Sequence, residues 1–231
     1  MTRALWAEAL KLHRTWILPL VFLGPFGVVS LNVVRWALHG QTVPWSQLVL
    51  GVNSLLVPAL ILGIAILASL LAGVELPGRM WKQLGALPLR PGTLYVAKFL
   101  LLALLLAASG VLCVLGMLAA GWIFAPGQPV PWPALLQEGF GPYLGAYLLM
   151  GIQLALSVLL PTQAWAIAAG IVGVIMGLGS GLLPHWLPWS FPELASPGAG
   201  QQPQFFILCG VGLGLLLALG GALWFTHQER P

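Results

Sequence analysis

The residues that could perform acid–base, nucleophilic or metal chemistry are few and scattered in this chain. The acidic side chains are five glutamates, accompanied by four histidines and two cysteines. No HExxH pair, GxSxG turn, paired carboxylates or Cys/His cluster occurs, although metalloproteases, serine hydrolases and zinc sites depend on such arrangements. The sequence therefore predicts no catalytic residue, no metal site and no cofactor bound by this chain, and an enzyme is the weakest functional hypothesis.

The composition is that of a membrane protein. Of the 231 residues, 59% are hydrophobic and 6% are charged, whereas soluble domains have about 25% charged residues. Because a bilayer core about 30 Å thick needs about 20 apolar residues as helix, the long apolar runs predict one all-α, polytopic domain over residues 1–231. Six transmembrane helices are predicted, at residues 16–37, 48–73, 94–124, 141–160, 163–183 and 205–225.

The stretch LLPTQAW, residues 159–165, is the boundary between the fourth and fifth predicted spans. Pro161 marks a tight loop in the favoured interpretation, and the alternative is a proline kink within one longer helix.

The Lys and Arg residues predict that both termini are cytoplasmic. In that orientation Arg35 alone lies outside, which agrees with the preference of basic residues for cytoplasmic loops. The inner cations are Arg3, Lys11, Arg14, Arg79, Lys82, Arg90, Lys98 and Arg230. Since these residues occur singly between apolar runs, the net charge of +4 does not indicate a nucleic acid partner.

The longer outer connections are rich in Pro, Gly and Trp, and the second is predicted to be an extracellular loop at residues 184–204. Glu138 and Glu193 are the full charges of these two connections, residues 123–142 and 184–204. Every glutamate and histidine of the chain is expected near a span boundary or beyond it. Trp132, Trp186 and Trp189 suit an interfacial belt. A lining for a substrate exit path is the alternative.

Polar and small residues within the spans predict contacts between helices. Asn53, Ser54, Ser109 and Gln153 are expected to form interhelical hydrogen bonds. Small residues at four-residue spacing allow helix backbones to approach closely, either within the chain or at a dimer contact. These glycines are Gly173, Gly177, Gly181, Gly210 and Gly214.

Two short amphipathic segments are predicted outside the spans, at residues 1–15 and 74–93. In the second, RMWKQLGAL can form about two helical turns with Met80, Leu84 and Leu87 on one face, and prolines and glycines bound it. By composition alone, each could be a membrane-surface anchor with a basic topology signal.

Both segments resemble those of ABC-2 type transporter permeases. The first contains W-x-E-x-x-K-x-x-R-T. The second begins a longer motif, from Glu75 to Lys98, which contains WKQLxALPLxPxxLYxAK after its Glu. The chain is most similar to the branch associated with lantibiotic immunity and bacitracin-type peptide export. The resemblance implies an elbow helix at residues 1–15, a coupling helix in 74–93 that docks on an ATPase, and a second permease subunit, the same or a related chain.

The resemblance assigns these roles to particular residues of the two segments. The elbow-helix residues are Trp6, Glu8, Lys11 and Arg14. The ATPase-docking residues are Glu75, Arg79, Met80, Trp81, Lys82, Leu84, Leu87 and Arg90. Met80, Trp81 and Leu84 would form the buried anchor, since aromatic and apolar side chains dominate interface hot spots.

No G-x-x-x-x-G-K-[ST] phosphate loop occurs, so ATP and Mg are expected on a separate ATPase chain. The predicted function is that of a multi-pass permease subunit in a prokaryotic plasma membrane. It would export or remove an amphipathic substrate, such as an antimicrobial peptide or a lipid-like molecule. The alternative is a non-transporting anchor or regulatory subunit of a membrane complex.

Overall fold

The computed structural model describes residues 6, 10, 17–39, 42–73, 91–160, 162–179, 184–197 and 202–227. Within these residues every regular element is helical, which confirms the predicted all-α class. The elements are α1 (Ile17–His39), α2 (Trp45–Gly73), α3 (Pro91–Phe124), α4 (Trp132–Gly145), α5 (Tyr147–Leu159), α6 (Gln163–Leu178), a 3₁₀ turn (Pro188–Ser190), α7 (Phe191–Leu194) and α8 (Pro203–His227).

Five apolar helical stretches are long enough to cross a bilayer: α1, α2, α3, α8, and α4 with α5 as one stretch from Trp132 to Leu159. The remaining apolar helix, α6, has 16 residues, which at 1.5 Å per residue is about 24 Å and shorter than a bilayer core of about 30 Å. The predicted six spans therefore correspond to five full-length stretches and one shorter helix, and the count of six stays a prediction.

The connection between α5 and α6 confirms the interpretation of LLPTQAW as a loop. Helix α5 ends at Leu159, Leu160 and Thr162 have extended backbones, and α6 begins at Gln163. The two segments are separate helices, so the alternative of one kinked helix is wrong.

Helix α2 lies at the centre of the bundle and packs against α1, α3, α4, α5 and α6. Its buried face includes Leu48, Leu56 and Ile64, and its apolar side chains form the main core with residues of α1, α3, α4 and α5. Helix α8 is the least buried of the long helices. It packs along α3, α4 and α5 and leaves most of its apolar surface exposed.

The helix directions define two ends of the bundle. Helices α1, α3 and α6 end where α2, α4 and α8 begin, and we call this the Glu138 end; the opposite end is the Lys98 end. At the Glu138 end, the Val43 amide donates a 2.8 Å hydrogen bond to the Phe124 carbonyl, and the Trp36 and Phe124 rings meet edge to face at 5.7 Å.

One sequence-based boundary was wrong at the Glu138 end. The fourth span was expected to begin at residue 141, but helix begins at Trp132, because Pro131 and Pro133 flank a first helical turn that proline tolerates. The loop before it is short and turns at Gly127, whose φ of +77° favours glycine. The predicted loop 184–204 contains the 3₁₀ turn and α7.

Lys98 was counted among the inner cations, and its side of the membrane stays a prediction. It lies within α3 and is 3% exposed, and its Nζ donates a 2.9 Å hydrogen bond to the Leu71 carbonyl. That carbonyl is in the last turn of α2, where the helix dipole favours a cation. Lys98 therefore joins the ends of α2 and α3.

Candidate functional site

Glu138 is a fully buried carboxylate in α4, within the apolar stretch from Trp132 to Leu159. The prediction that it belongs to an outer loop is therefore wrong. The prolines at 131 and 133 suggested a loop, whereas they occupy the start of a helix that continues through Glu138. Because ionisable residues in apolar membrane segments are costly and usually functional, this carboxylate is the first candidate for a role beyond packing.

Glu138 is joined to α2 and to residues 191–196, which we call the α7 segment, by a short chain of hydrogen bonds. The Ser196 hydroxyl donates to Glu138 Oε2 at 2.7 Å, and Asn53 Nδ2 donates to Ser196 Oγ. All three side chains are buried. Glu138 Oε1 has no hydrogen-bond partner among the described residues, so the carboxylate is only partly satisfied.

Two glycines on the same face of α4 allow the α7 segment to approach this carboxylate. A Cβ atom on Gly141 would lie 2.5 Å from the Ala195 carbonyl oxygen, and one on Gly145 would lie 2.7 Å from the Phe191 carbonyl oxygen. Any larger residue would push the segment away from α4. The positions 138, 141 and 145 therefore form one helix face that holds the α7 segment against the Glu138 end of the bundle.

A pocket of about 210 Å³ lies beside this hydrogen-bonded chain, between α2, α6 and α7. We call it the Glu193 pocket. Glu193 is half-buried and lies outside the long helices; burial raises the pKa of its carboxyl above the ordinary value. Ser54 and Leu178 are exposed and connect the pocket with the surface. Its lining residues are Asn53, Ser54, Val57, Pro58, Gly177, Leu178 and Glu193.

Two further polar contacts lie between helices. The hydroxyls of Ser109 in α3 and Tyr143 in α4 are 3.0 Å apart, and both residues line a small cavity of about 40 Å³. The Gln153 carboxamide of α5 faces α6 and, in one orientation, pairs with the Ala166 carbonyl and the Gly170 amide at 3.2 Å. Ser54 instead donates a hydrogen bond to the Gly51 carbonyl of its own helix.

A larger groove of about 750 Å³ lies between α1 and α3. Its lining is almost wholly apolar and includes Phe22, Phe26 and Leu115, with Ser30 as the polar exception. Pro25 lies within α1 beside it. Such a surface matches the apolar interior of a bilayer. Its described lining contains no set of polar side chains that could catalyse a reaction.

Four of the five predicted contact glycines lie in helix contacts within the chain. Gly173 and Gly177 of α6 pack against Ile61 of α2, and Gly210 and Gly214 of α8 pack against the backbones of Gly145 and Tyr147. Gly173 also lies against Trp189, which the sequence suggested as an interfacial residue but which packs beside Val57 and Ile61. Gly181 lies outside the described residues.

The predicted docking residues between Glu75 and Arg90 all lie outside the described residues, as do Glu8, Lys11 and Arg14 of the elbow helix. Trp6 is helical and 69% exposed. The sites assigned by resemblance thus stay predictions. The structure instead draws attention to Glu138, Ser196 and Glu193, which sequence reasoning had treated as loop residues or left aside. Ser196 has no sequence signal that separates it from an ordinary loop serine.

Among the described residues no three His, Cys, Asp or Glu side chains lie together.

A comparison with protein families identifies the family of the chain. The sequence profile of the ABC-2 family transporter proteins matches residues 4–177, about three quarters of the chain. No curated protein and no solved structure is significantly similar to the chain.

Proposed function

The chain belongs to the ABC-2 family of transporter proteins, and from this premise we propose that it is the permease subunit of an ATP-driven exporter that handles an amphipathic substrate. The match over residues 4–177 is the observation on which this proposal mainly rests. The five helical stretches long enough to cross a bilayer support it, because a permease must form its path from membrane-spanning helices. ABC-2 permeases are transport subunits and are not ATPases.

The ATPase is proposed to be a separate chain that binds ATP and Mg. The absence of a phosphate-loop motif from the sequence supports this division of labour. We propose that residues 74–93 dock on the ATPase, with Met80, Trp81 and Leu84 as the buried anchor and with Arg79, Lys82 and Arg90 mainly setting orientation. Closure of the ATPase would then move this segment and the helices α2 and α3 on either side of it.

The cargo is proposed to be an antimicrobial peptide or a similar amphipathic molecule, in line with the resemblance to permeases of lantibiotic immunity and bacitracin-type export. The apolar surfaces of α1, α3 and α8 suit such a molecule better than a sugar or an inorganic ion. We also propose a second permease subunit, of the same or a related chain, and a prokaryotic plasma membrane as the location. Both termini would face the cytoplasm, so the Glu138 end would face outward.

The docking segment is tested by Trp81→Ala. We expect this substitution to weaken association with the ATPase by about 2 kcal/mol or more, because a buried tryptophan is a typical hot spot, and to abolish ATP-dependent export. The measurement is the amount of ATPase that co-purifies with the tagged permease, together with export by the cells.

A matched control is Trp186→Ala, since Trp186 is 74% exposed in the connection between α6 and α8. This variant should retain the ATPase at the wild-type amount. Full co-purification and full export by Trp81→Ala would reject the docking role, and a normal complex that moves no cargo would favour the anchor or regulatory alternative.

A further inference from the structure

The Glu193 pocket has the chemistry of a cation site. Its polar lining consists of the Glu193 carboxylate, the Asn53 carboxamide and the Ser54 hydroxyl, and no Lys, Arg or His is among its described lining residues. Ser54 donates its proton to the Gly51 carbonyl at 2.8 Å, and Asn53 directs its Nδ2 to Ser196. The Ser54 and Asn53 oxygens can therefore act as acceptors, a carboxylate can accept several hydrogen bonds at once, and an ammonium group has three donors and no acceptor.

The size and the apolar lining of the pocket indicate what else the ligand contains. At about 210 Å³ the pocket is smaller than the 300–1,000 Å³ typical of sites that enclose a whole drug-sized ligand. It can hold a head group, while Val57, Pro58 and the exposed Leu178 give an apolar rim for the adjoining chain. A ligand with a charged head and an apolar body fits both features.

We propose that the Glu193 pocket binds the primary ammonium group of an amphipathic cation, with Glu193 as the counter-ion and with Asn53 and Ser54 as hydrogen-bond acceptors. This proposal rests on the proposed function in one respect: such a cation is inferred to be cargo, or part of it, as a lysine side chain is part of a peptide. Burial of the Glu193 carboxylate favours the pairing, because a partly desolvated charge gains more from a counter-ion than a fully hydrated one does.

The occupant of this pocket would also contact the chain of hydrogen bonds that leads to Glu138. Asn53 belongs to both, since it lines the pocket and donates to Ser196, which in turn donates to Glu138. A ligand that reorients the Asn53 carboxamide would thus change the attachment of the α7 segment to α2 and α4. Binding in the pocket can therefore affect the contact among α2, α4 and the α7 segment.

The test uses the purified full chain in phosphatidylcholine nanodiscs, with octylammonium as the probe and octanol as its neutral match. Calorimetric titration, corrected with empty nanodiscs, should show saturable binding of octylammonium at one site per chain and none for octanol. Glu193→Gln, which keeps the side-chain shape, should weaken octylammonium binding about tenfold or more, as expected for the loss of a charge-assisted hydrogen bond. Ser54→Ala should weaken it less.

Glu229→Gln is the charge-matched control and should bind octylammonium as the wild type does. Equal octylammonium affinity of the wild type and Glu193→Gln would overturn the proposal, as would saturable binding of octanol with the same affinity. Octyltrimethylammonium separates the two contributions, and it should bind more weakly than octylammonium because it has no N–H donor. Because these titrations contain no ATPase, their failure would leave the exporter proposal standing, and loss of the ATPase partnership would leave the cation site standing.

Discussion

At the residue scale, the main finding is a carboxylate within an apolar helix. Glu138 is fully buried, accepts one hydrogen bond from Ser196 and has a second oxygen with no hydrogen-bond partner among the described residues. Burial of a polar group is costly unless hydrogen bonds replace those lost to water. We therefore expect the hydrogen bond from Ser196 to contribute more to stability than an ordinary surface hydrogen bond, and to hold the α7 segment in position.

Ser196→Ala should destabilise the protein by about 1.5–3 kcal/mol, because it removes a hydrogen bond to a buried carboxyl group and leaves both the carboxylate and Asn53 without their described partner. The measurement is the free energy of unfolding of the purified chain in detergent. Ser54→Ala is the matched control, since Ser54 is exposed and bonds within its own helix; its effect should stay within about 0.5 kcal/mol. Equal stability of Ser196→Ala and the wild type would show that the chain from Asn53 to Glu138 does not hold the α7 segment.

At the element scale, close helix contacts depend on particular glycines. A Cβ atom on Gly210 of α8 would lie 2.5 Å from the Gly145 carbonyl oxygen, whereas one on Gly212, two residues further along the same helix, would meet nothing within 4 Å. Close packing thus excludes a larger residue at position 210, whereas position 212 has space for one. The contact between α8 and the junction of α4 with α5 is fixed at Gly210.

Gly210→Ala should destabilise the chain by about 1–3 kcal/mol, because the added methyl group collides with backbone that cannot rotate away. Gly212→Ala should be neutral or slightly stabilising, since alanine is the better helix former and has space there. Thermal unfolding of the two variants in the same detergent makes the comparison. Equal losses in both would mean that α8 does not pack closely at Gly210.

The sequence predicted the helices far better than their ends and contacts. Apolar runs of bilayer length predicted the all-α class and the approximate positions of α1, α2, α3 and α8, because helix formation in an apolar run follows from local composition. The start of α4 was missed, since Pro131 and Pro133 occur in loops and in first helical turns alike. Composition gives no means of separating these two environments.

The candidate site was less predictable than the fold, because its members come from distant parts of the sequence. Asn53 and Ser109 were expected to form hydrogen bonds between helices, but their partners Ser196 and Tyr143 were not identified. A hydrogen bond between residues 53 and 196 depends on how α2, α4 and the α7 segment pack together. No local pattern encodes such a contact, and only the three-dimensional arrangement of the helices reveals it.

At the scale of the whole molecule, the account depends on which side of the membrane each end of the bundle faces. The eight inner cations and the single outer one expected from the sequence predict that the Lys98 end faces the cytoplasm. Lys98 itself is buried within α3. Without it, seven predicted inner cations remain against one predicted outer cation, so the charge bias still favours this orientation. In this orientation residues 74–93 can reach an ATPase, and the Glu193 pocket opens toward the outer side.

The most direct test of this account is the accessibility of one residue at each end. In a chain whose two native cysteines are replaced by alanine, Lys82→Cys and His185→Cys are labelled separately with a membrane-impermeant maleimide in intact cells. We predict that His185→Cys reacts in intact cells and that Lys82→Cys reacts only after the membrane is permeabilised. Labelling of Lys82→Cys in intact cells would contradict the account, because an external segment could not dock on a cytoplasmic ATPase.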